Sequence, residues 1–189
     1  MEPVILASAS PRRRHLLTQM GLEFEVVPAN IDETPRRDER PEVLVRRLAV
    51  EKALVVAQRY PDGLVIGADT VVALGRVTLG KPHDAEHARA MLQMLSGNRH
   101  EIYTGVAVWS GARQRGYAAV NVAHVTFRSL TPAEIDDYVA TGEPMDKAGS
   151  YAIQGGAGRF VESYEGNLEV VIGLPRDVVE RLIGRLSRS

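Results

Sequence analysis

The sequence predicts an α/β protein built on a mixed β-sheet, and three observations carry that prediction. Apolar, β-branched runs alternate with helical patterns from one end of the chain to the other. Several of the strands are joined by tight turns, as in hairpins, and not by helices. No stretch keeps the regular strand–helix alternation of a purely parallel sheet. The 189 residues suffice for one large domain or two small lobes. No repeat, low-complexity segment or linker divides them, so a single domain over residues 1–189 is expected.

The elements follow in order. Val4-Ile5-Leu6-Ala7 reads as a strand that runs into Ser8-Ala9-Ser10-Pro11-Arg12-Arg13-Arg14. Leu16, Leu17 and Met20 then recur at helical spacing, with Ser10 as N-cap, Pro11 at the first helical position and Gly21 at C′. Phe24-Glu25-Val26-Val27 is a second strand, and residues 28–41, with Pro28, Pro35 and Pro41, form a loop carrying Asp32-Glu33-Thr34. Residues 42–59 are helical. Residues 65–74 are a strand interrupted by Gly67-Ala68-Asp69-Thr70, with Arg76-Val77-Thr78-Leu79 as its hairpin partner around Gly75. A helix over 84–95 ends at Ser96-Gly97-Asn98, and strands near 100–110 and 115–128 join through Ser110-Gly111. Thr131-Pro132-Ala133-Glu134 is a capping box that opens a helix to about residue 141. Residues 142–158 are glycine-rich and irregular, and a strand near 168–172 and a helix near 176–186 follow.

Composition narrows the function. The formal net charge is −1, so no global nucleic-acid-binding surface is expected, and the local positive charge favours a small anionic ligand over a polymer. The absence of cysteine excludes disulfides, thiolate metal sites and thiol nucleophiles, and agrees with a reducing compartment. No apolar run approaches the ~18–20 residues of a membrane span, and no signal-peptide pattern is visible. A cytoplasmic protein without membrane contact is the expectation.

Several residues carry chemistry. Arg12, Arg13 and Arg14 sit in the first turn of a helix, the wrong end for cations, where each costs roughly 0.3–1 kcal/mol. A bound anion would reverse that penalty, and a solvated basic turn is the alternative. Asp69 is a lone carboxylate inside an apolar strand, costly to bury unless paired, hydrogen-bonded or metal-bound. Gly67 and Ala68 before it allow close approach of backbone or ligand. A general base or metal ligand explains Asp69, and a solvent-facing bulge is the other reading. Lys52 shares the apolar stripe of its helix with Leu48, Val55 and Val56, either snorkelling at the rim or reaching into a phosphate site. Gly80-Lys81-Pro82 holds Lys81 at a strand end, a common position both for ligand contacts and for ordinary surface turns. Glu33 and Asp69 offer the one or two carboxylates that Mg²⁺ uses beside substrate phosphates, although their approach in space is not readable from sequence. Gln154, in a glycine-rich segment, presents a donor and an acceptor suited to a base edge. The five histidines form no zinc signature, and no GxSxG, Walker A or GxGxxG motif stands in its proper context.

Taken in order, these segments resemble the Maf family of nucleotide pyrophosphatases. The matching stretches are Leu6-Ala7-Ser8-Ala9-Ser10-Pro11-Arg12-Arg13, Asp32-Glu33-Thr34, Glu51-Lys52-Ala53, Gly67-Ala68-Asp69-Thr70 and Gly80-Lys81-Pro82, followed by Tyr103-Thr104-Gly105-Val106, Asp146-Lys147-Ala148-Gly149, Ile153-Gln154-Gly155 and Gly173-Leu174-Pro175. The resemblance implies an elongated mixed β-sheet with flanking helices and two lobes around a central cleft, similar to inosine-triphosphate pyrophosphatases. It implies hydrolysis of a nucleoside triphosphate to the monophosphate and pyrophosphate, with a divalent cation (Mg²⁺ or Mn²⁺), and a homodimer. By position, Asp69 is similar to the proton acceptor, Lys52 and Lys81 to phosphate-binding residues, and Glu33 to part of the metal and water site shared with Asp69. Arg12, Thr70 and Gln154 match positions of substrate choice, and Ser8 and Arg13 belong to the same substrate-binding motif. Arg14 has no counterpart. The Asp-Thr and Gln pairing resembles the branch acting on dTTP and UTP; the 7-methyl-GTP branch carries Glu at the position of Gln154. Asn167-Leu168-Glu169-Val170-Val171 departs from the family pattern, so no role is transferred to Asn167. A non-catalytic, nucleotide-bound regulator of cell division and a nucleic-acid binder using Arg12–Arg14 are the competing classes.

Overall fold

The computed structural model describes residues 2–188. β1 (Val4–Leu6) is followed by α1 (Pro11–Thr18), β2 (Phe24–Val26) and α2 (Pro41–Ala57). The hairpin β3 (Leu64–Leu74) and β4 (Val77–Leu79) comes next, then α3 (Ala85–Leu95). The long strands β5 (Arg99–Ser110) and β6 (Arg115–Phe127), then α4 (Pro132–Ala140), lead to three short 3₁₀ helices over Glu143–Asp146, Ala148–Ser150 and Gly156–Phe160. β7 (Val161–Glu165), α5 (Leu168–Ile172) and α6 (Arg176–Ser187) follow. The hydrogen-bonded strand order is β2-β1-β3-β5-β6-β7, with β4 on β3. β1 pairs parallel with β2 and β3, whereas β3–β4 and β6–β7 are antiparallel, which makes the sheet mixed as expected.

Local signals hold at several caps. Ser10 caps α1 by accepting the Arg13 N–H, Asp84 caps α3 through the His87 N–H, and Thr131 with Glu134 forms the full capping box of α4. Two expectations are corrected. Gly21 is not the C′ residue of α1; the helix ends one residue earlier, with Gln19 as C-cap, and Gly21 stands two residues past that cap at φ +71°. Residues 168–172 are a helix, α5, and not a strand. Asn167 turns the chain there, its Oδ1 accepting the Glu169 N–H at 2.8 Å and its carbonyl the Val170 N–H at 3.0 Å, which overrides the β-branched run. The terminal strand is instead β7, an exposed and polar segment that pairs His124 with Glu165 and Val125 with Tyr164.

The chain divides into two compact units. The first comprises Met1–Asp69, Thr104–Asn121 and Gly173–Ser189. Its core gathers Ile5 and Ala7 with Val65, Ala107 and the buried face of α2 (Ala49, Ala53, Val56). Glycine sets how closely α2 lies on the strands. A Cβ at Gly67 of β3 would collide with the Ala49 carbonyl and stand 2.8 Å from the Ala53 nitrogen, and one at Gly105 of β5 would collide with the Val45 carbonyl. Val45 and Ala49 are one helical turn apart, so two neighbouring glycines seat consecutive turns of one helix.

The second unit comprises Thr70–Tyr103 and Val122–Ile172. Its core packs Leu92 and Leu95 of α3 and Tyr138 of α4 against Phe127, Tyr151 and Phe160. The rings of Phe127 and Tyr151, and of Tyr138 and Phe160, meet edge to face. Buried His100 bonds the Tyr151 hydroxyl at 2.8 Å through Nε2, and burial pushes its imidazole down to about 4, so it is a neutral core residue at physiological pH. No helix among the described residues is long and apolar enough to cross a membrane.

Candidate active site

The stretch of β3 that belongs to the first unit, residues 64–69, closes with Asp69, a buried carboxylate that requires a polar or charged partner. Lys52 of α2 provides it. Its Nζ donates to Asp69 Oδ1 at 2.7 Å, and both residues are 7% exposed. The same ammonium lies 3.0 Å from Glu33 Oε1. Lys52 therefore does not snorkel at a rim; it bridges the two carboxylates that the sequence could not bring together. The geometry depends on Gly67, two residues before Asp69, because only a glycine there lets α2 sit low enough for Lys52 to reach the strand.

Burial raises the Asp69 carboxyl above its ordinary value, the Lys52 and Arg13 charges pull it back, and Glu33 adds a smaller upward push. Such an acid is poised closer to neutral pH than a solvated aspartate. Arg13 extends from the first turn of α1. Its Nε donates to the Gly173 carbonyl at 2.9 Å and its Nη1 to Ser8 Oγ at 3.2 Å, and Ser8 Oγ also accepts the Ser10 N–H at 3.2 Å. The Ser-Pro-Arg-Arg turn is thereby fastened to the Gly-Leu-Pro segment. Burial lowers the Arg13 guanidinium, opposed by the Asp69 charge. Arg12 is half-buried beside it, and Arg14 is exposed.

Thr70, Lys81 and Gln154 belong to the second unit. Thr70 follows Asp69 directly in β3 and is half-buried, whereas Lys81 and Gln154 are exposed. Lys81 stands just past the end of β4, where the Gly80 carbonyl accepts the Gly149 N–H at 3.0 Å. This joins two of the motifs singled out in the sequence. Gly149 has φ +66°, and a Cβ on it would lie 2.7 Å from Val72 Cγ2, so glycine is required twice over. Gln154 sits in the turn whose next N–H but one, that of Gly156, is accepted by both oxygens of Glu143 at 3.1 Å.

Sequence reasoning missed Arg47 and Glu39. Arg47 of α2 donates through Nε and Nη2 to the two oxygens of Glu39, each at 2.7 Å, and through Nη1 to Glu51 at 3.2 Å. The i,i+4 spacing of Arg47 and Glu51 was readable, but the partner across the loop was not.

Among the described residues no group of three or more His, Asp or Glu side chains forms a metal cage. The pair Glu33 and Asp69 is the donor set that remains.

An acidic pair bridged by a buried lysine, beside an arginine-bearing helix N-terminus, is an arrangement suited to an anionic ligand and to proton transfer. The chain belongs to the Maf-like family, whose model matches residues 3–186. It is 51% identical over 182 residues to the dTTP/UTP pyrophosphatase of Myxococcus xanthus, covering 96% of this chain and 91% of that protein. It is 50% identical over 175 residues to the dTTP/UTP pyrophosphatase of Pelotomaculum thermopropionicum, covering 93% and 92%. A solved structure of a dITP/XTP pyrophosphatase from Mycobacterium abscessus overlaps 68% of this chain and 75% of its own at 13% identity, with a TM-score of 0.43.

Proposed function

We propose that the chain is a nucleoside triphosphate pyrophosphatase acting on dTTP and UTP, releasing the monophosphate and pyrophosphate. The buried Lys52–Asp69 pair at 2.7 Å, with Glu33 on the same ammonium, is the observation that carries the reading. A structural ion pair in that position gains little over apolar packing, whereas a carboxylate held ionisable in a protected site is what a general base requires.

In this mechanism Asp69 accepts a proton from a water as its oxygen bonds to the α-phosphorus. The bond from the α-phosphorus to the bridging oxygen breaks, and the leaving pyrophosphate carries away the electron pair. Arg12, Arg13, Lys52 and Lys81 stabilise the charge that accumulates on the phosphates. Ser8 holds Arg13 in orientation. Thr70 and Gln154 select the nucleotide, with the Gln154 amide bonding a pyrimidine edge.

The donor set also fits a divalent ion brought in with substrate. Glu33 and Asp69 are hard oxygen ligands, and Mg²⁺ typically takes one or two carboxylates with phosphates and water completing its shell. Glu33 and Asp69 would hold Mg²⁺ or Mn²⁺, which when bound supplies charge neutralisation on the phosphate oxygens.

The test is pyrophosphate release from a panel of canonical and modified triphosphates with added Mg²⁺ or Mn²⁺. Fast turnover of dTTP and UTP with little from 7-methyl-GTP is expected. The opposite preference overturns the reading of Gln154, and no release from any triphosphate overturns the enzymatic reading itself.

A further inference from the structure

The loop that delivers Glu33 has no helix or strand of its own over residues 28–40. Solvated loops of that length hold no fixed conformation unless something outside them does the fixing. Here α2 grips the loop at two points. Lys52 takes the Glu33 carboxylate at 3.0 Å. Five residues earlier on the helix, Arg47 takes the backbone: its Nη2 donates to the Thr34 carbonyl at 3.2 Å, one residue past Glu33. The same guanidinium forks onto Glu39 at 2.7 Å on both oxygens, and Glu39 Oε2 accepts the Arg36 N–H at 2.9 Å. The loop is thus pinned on the C-terminal side of Glu33 at three residues, 34, 36 and 39. The pins are not a surface ion pair, since the Arg47 side chain is 14% exposed and that of Glu39 only 4%.

We propose that Arg47, locked by Glu39, is a positioning residue that sets the location of Glu33 in the active site. The inference rests on the reading of Glu33 as part of that site. Only a planar fork spans this arrangement. A lysine at 47 keeps the charge and most of the stem, but a single ammonium does not reproduce two parallel bonds to Glu39 together with bonds to Thr34 and Glu51. The effect of losing the fork is therefore on where Glu33 stands, not on the charge of the neighbourhood.

The experiment is a double-mutant cycle on the full-length protein, with pyrophosphate release from dTTP in added Mg²⁺ as the assay and melting temperature as the control. Glu33→Gln should lower kcat by about 10²-fold, the scale of a lost acid–base or positioning group. Arg47→Lys should lower kcat about 10-fold with KM changed less than about twofold. In the Glu33→Gln background Arg47→Lys should cost less than about twofold, because the group it positions is already disabled. A second variant guards against loss of the fold: Arg47→Met combined with Glu39→Leu replaces a buried pair by apolar groups, a change usually neutral for stability. It should reproduce the Arg47→Lys pattern at a near-native melting temperature. Equal losses in both backgrounds, or wild-type kcat in both Arg47 variants, overturns the proposal. If Glu33→Gln itself leaves kcat unchanged, the assignment of Glu33 fails and the proposal falls with it, an outcome distinct from additive losses around an essential Glu33.

Discussion

Gly67→Ala is the substitution in which local packing and chemistry are most directly linked. The new Cβ would collide with the Ala49 carbonyl and stand 2.8 Å from the Ala53 nitrogen, both backbone atoms of α2 that no rotamer change can move. Restoring an ordinary carbon–oxygen contact of ~3.3 Å requires the helix to lift by about 1 Å. The Lys52–Asp69 distance, now 2.7 Å, then passes out of hydrogen-bonding range, which ends near 3.2 Å for nitrogen and oxygen. Overpacking of this kind costs about 1–3 kcal/mol, which for a chain of this size lowers the melting temperature by about 2–12 °C. A displacement of about 1 Å at a reacting group costs as much as 10²-fold in rate. The variant should therefore fold, melt lower, and lose kcat far out of proportion to its lost stability. Thermal unfolding, pyrophosphate release and a structure of the variant read the three effects. Gly184→Ala is the control: its Cβ would meet nothing nearer than Arg188 at 3.9 Å, within α6, and should stabilise by about 0.5–1 kcal/mol without touching activity. A Gly67→Ala protein with native melting temperature and native kcat refutes the claim that this glycine sets the lysine–aspartate geometry.

Asp69→Asn should abolish turnover while preserving the fold by circular dichroism, and near-normal turnover would remove Asp69 as the base. The acid limb of kcat/KM for the unmodified protein should lie above pH 3.8, because burial raises the Asp69 carboxyl and the base works only when ionised. In Lys52→Met that limb should move to higher pH, since the cation favouring the ionised form is gone; an unmoved limb would show that the pair is not coupled in solution. Glu39 is held down to about 2 by the Arg47 fork, so its contribution to stability is fully present above the unfolded value of 4.5 and is lost as pH falls toward 2. Glu39→Gln should flatten that part of the acid-unfolding curve by about 1–3 kcal/mol after allowance for solvent screening, measured by denaturant titration at a series of pH values.

The parts of the fold legible in the sequence are those fixed within a few residues. The capping box at Thr131, the caps at Ser10 and Asp84 and the hairpin turn at Gly75 are all local chemistry, and each stands where its residues place it. Gly67 was legible as a point of close approach, but what approaches, the backbone of α2, is a tertiary fact. The strand β7 was not legible, because Val-Glu-Ser-Tyr-Glu has no buried face to leave a period-2 pattern and owes its conformation to pairing with β6. The reverse error at residues 168–172 has the same cause: β-branched composition suggested a strand, and the Asn167 turn decided for a helix. In the candidate site, Asp69 betrayed itself as a lone carboxylate in an apolar run. Arg47 and Glu39 did not, because charged residues in a helix and a polar loop are unremarkable until the loop folds back.

The inner cluster also explains why so few residues must do several tasks. Arg13 and Lys52 bring two positive charges close to the two negative charges of Asp69 and Glu33; burial raises the Asp69 carboxyl and lowers the Arg13 guanidinium, and the opposite charges pull each of them back. The cluster is therefore close to neutral, which makes it cheap to bury without a ligand but leaves little net charge to offset a triphosphate. In the proposed mechanism Asp69 takes a proton and so must stay ionisable, which keeps Lys52 from serving phosphate alone. Arg13 is already tied to Ser8 and to the Gly173 carbonyl. In the proposed mechanism the remaining positive charge comes from residues outside the neutral core, such as half-buried Arg12 next to Arg13 in the same unit, and from a cation arriving with the substrate. On this account removal of divalent metal and loss of Arg12 act on the same deficit. Arg12→Gln should raise the concentration of Mg²⁺ needed for half-maximal rate, and an unchanged Mg²⁺ requirement in that variant would show that Arg12 contacts the nucleotide elsewhere.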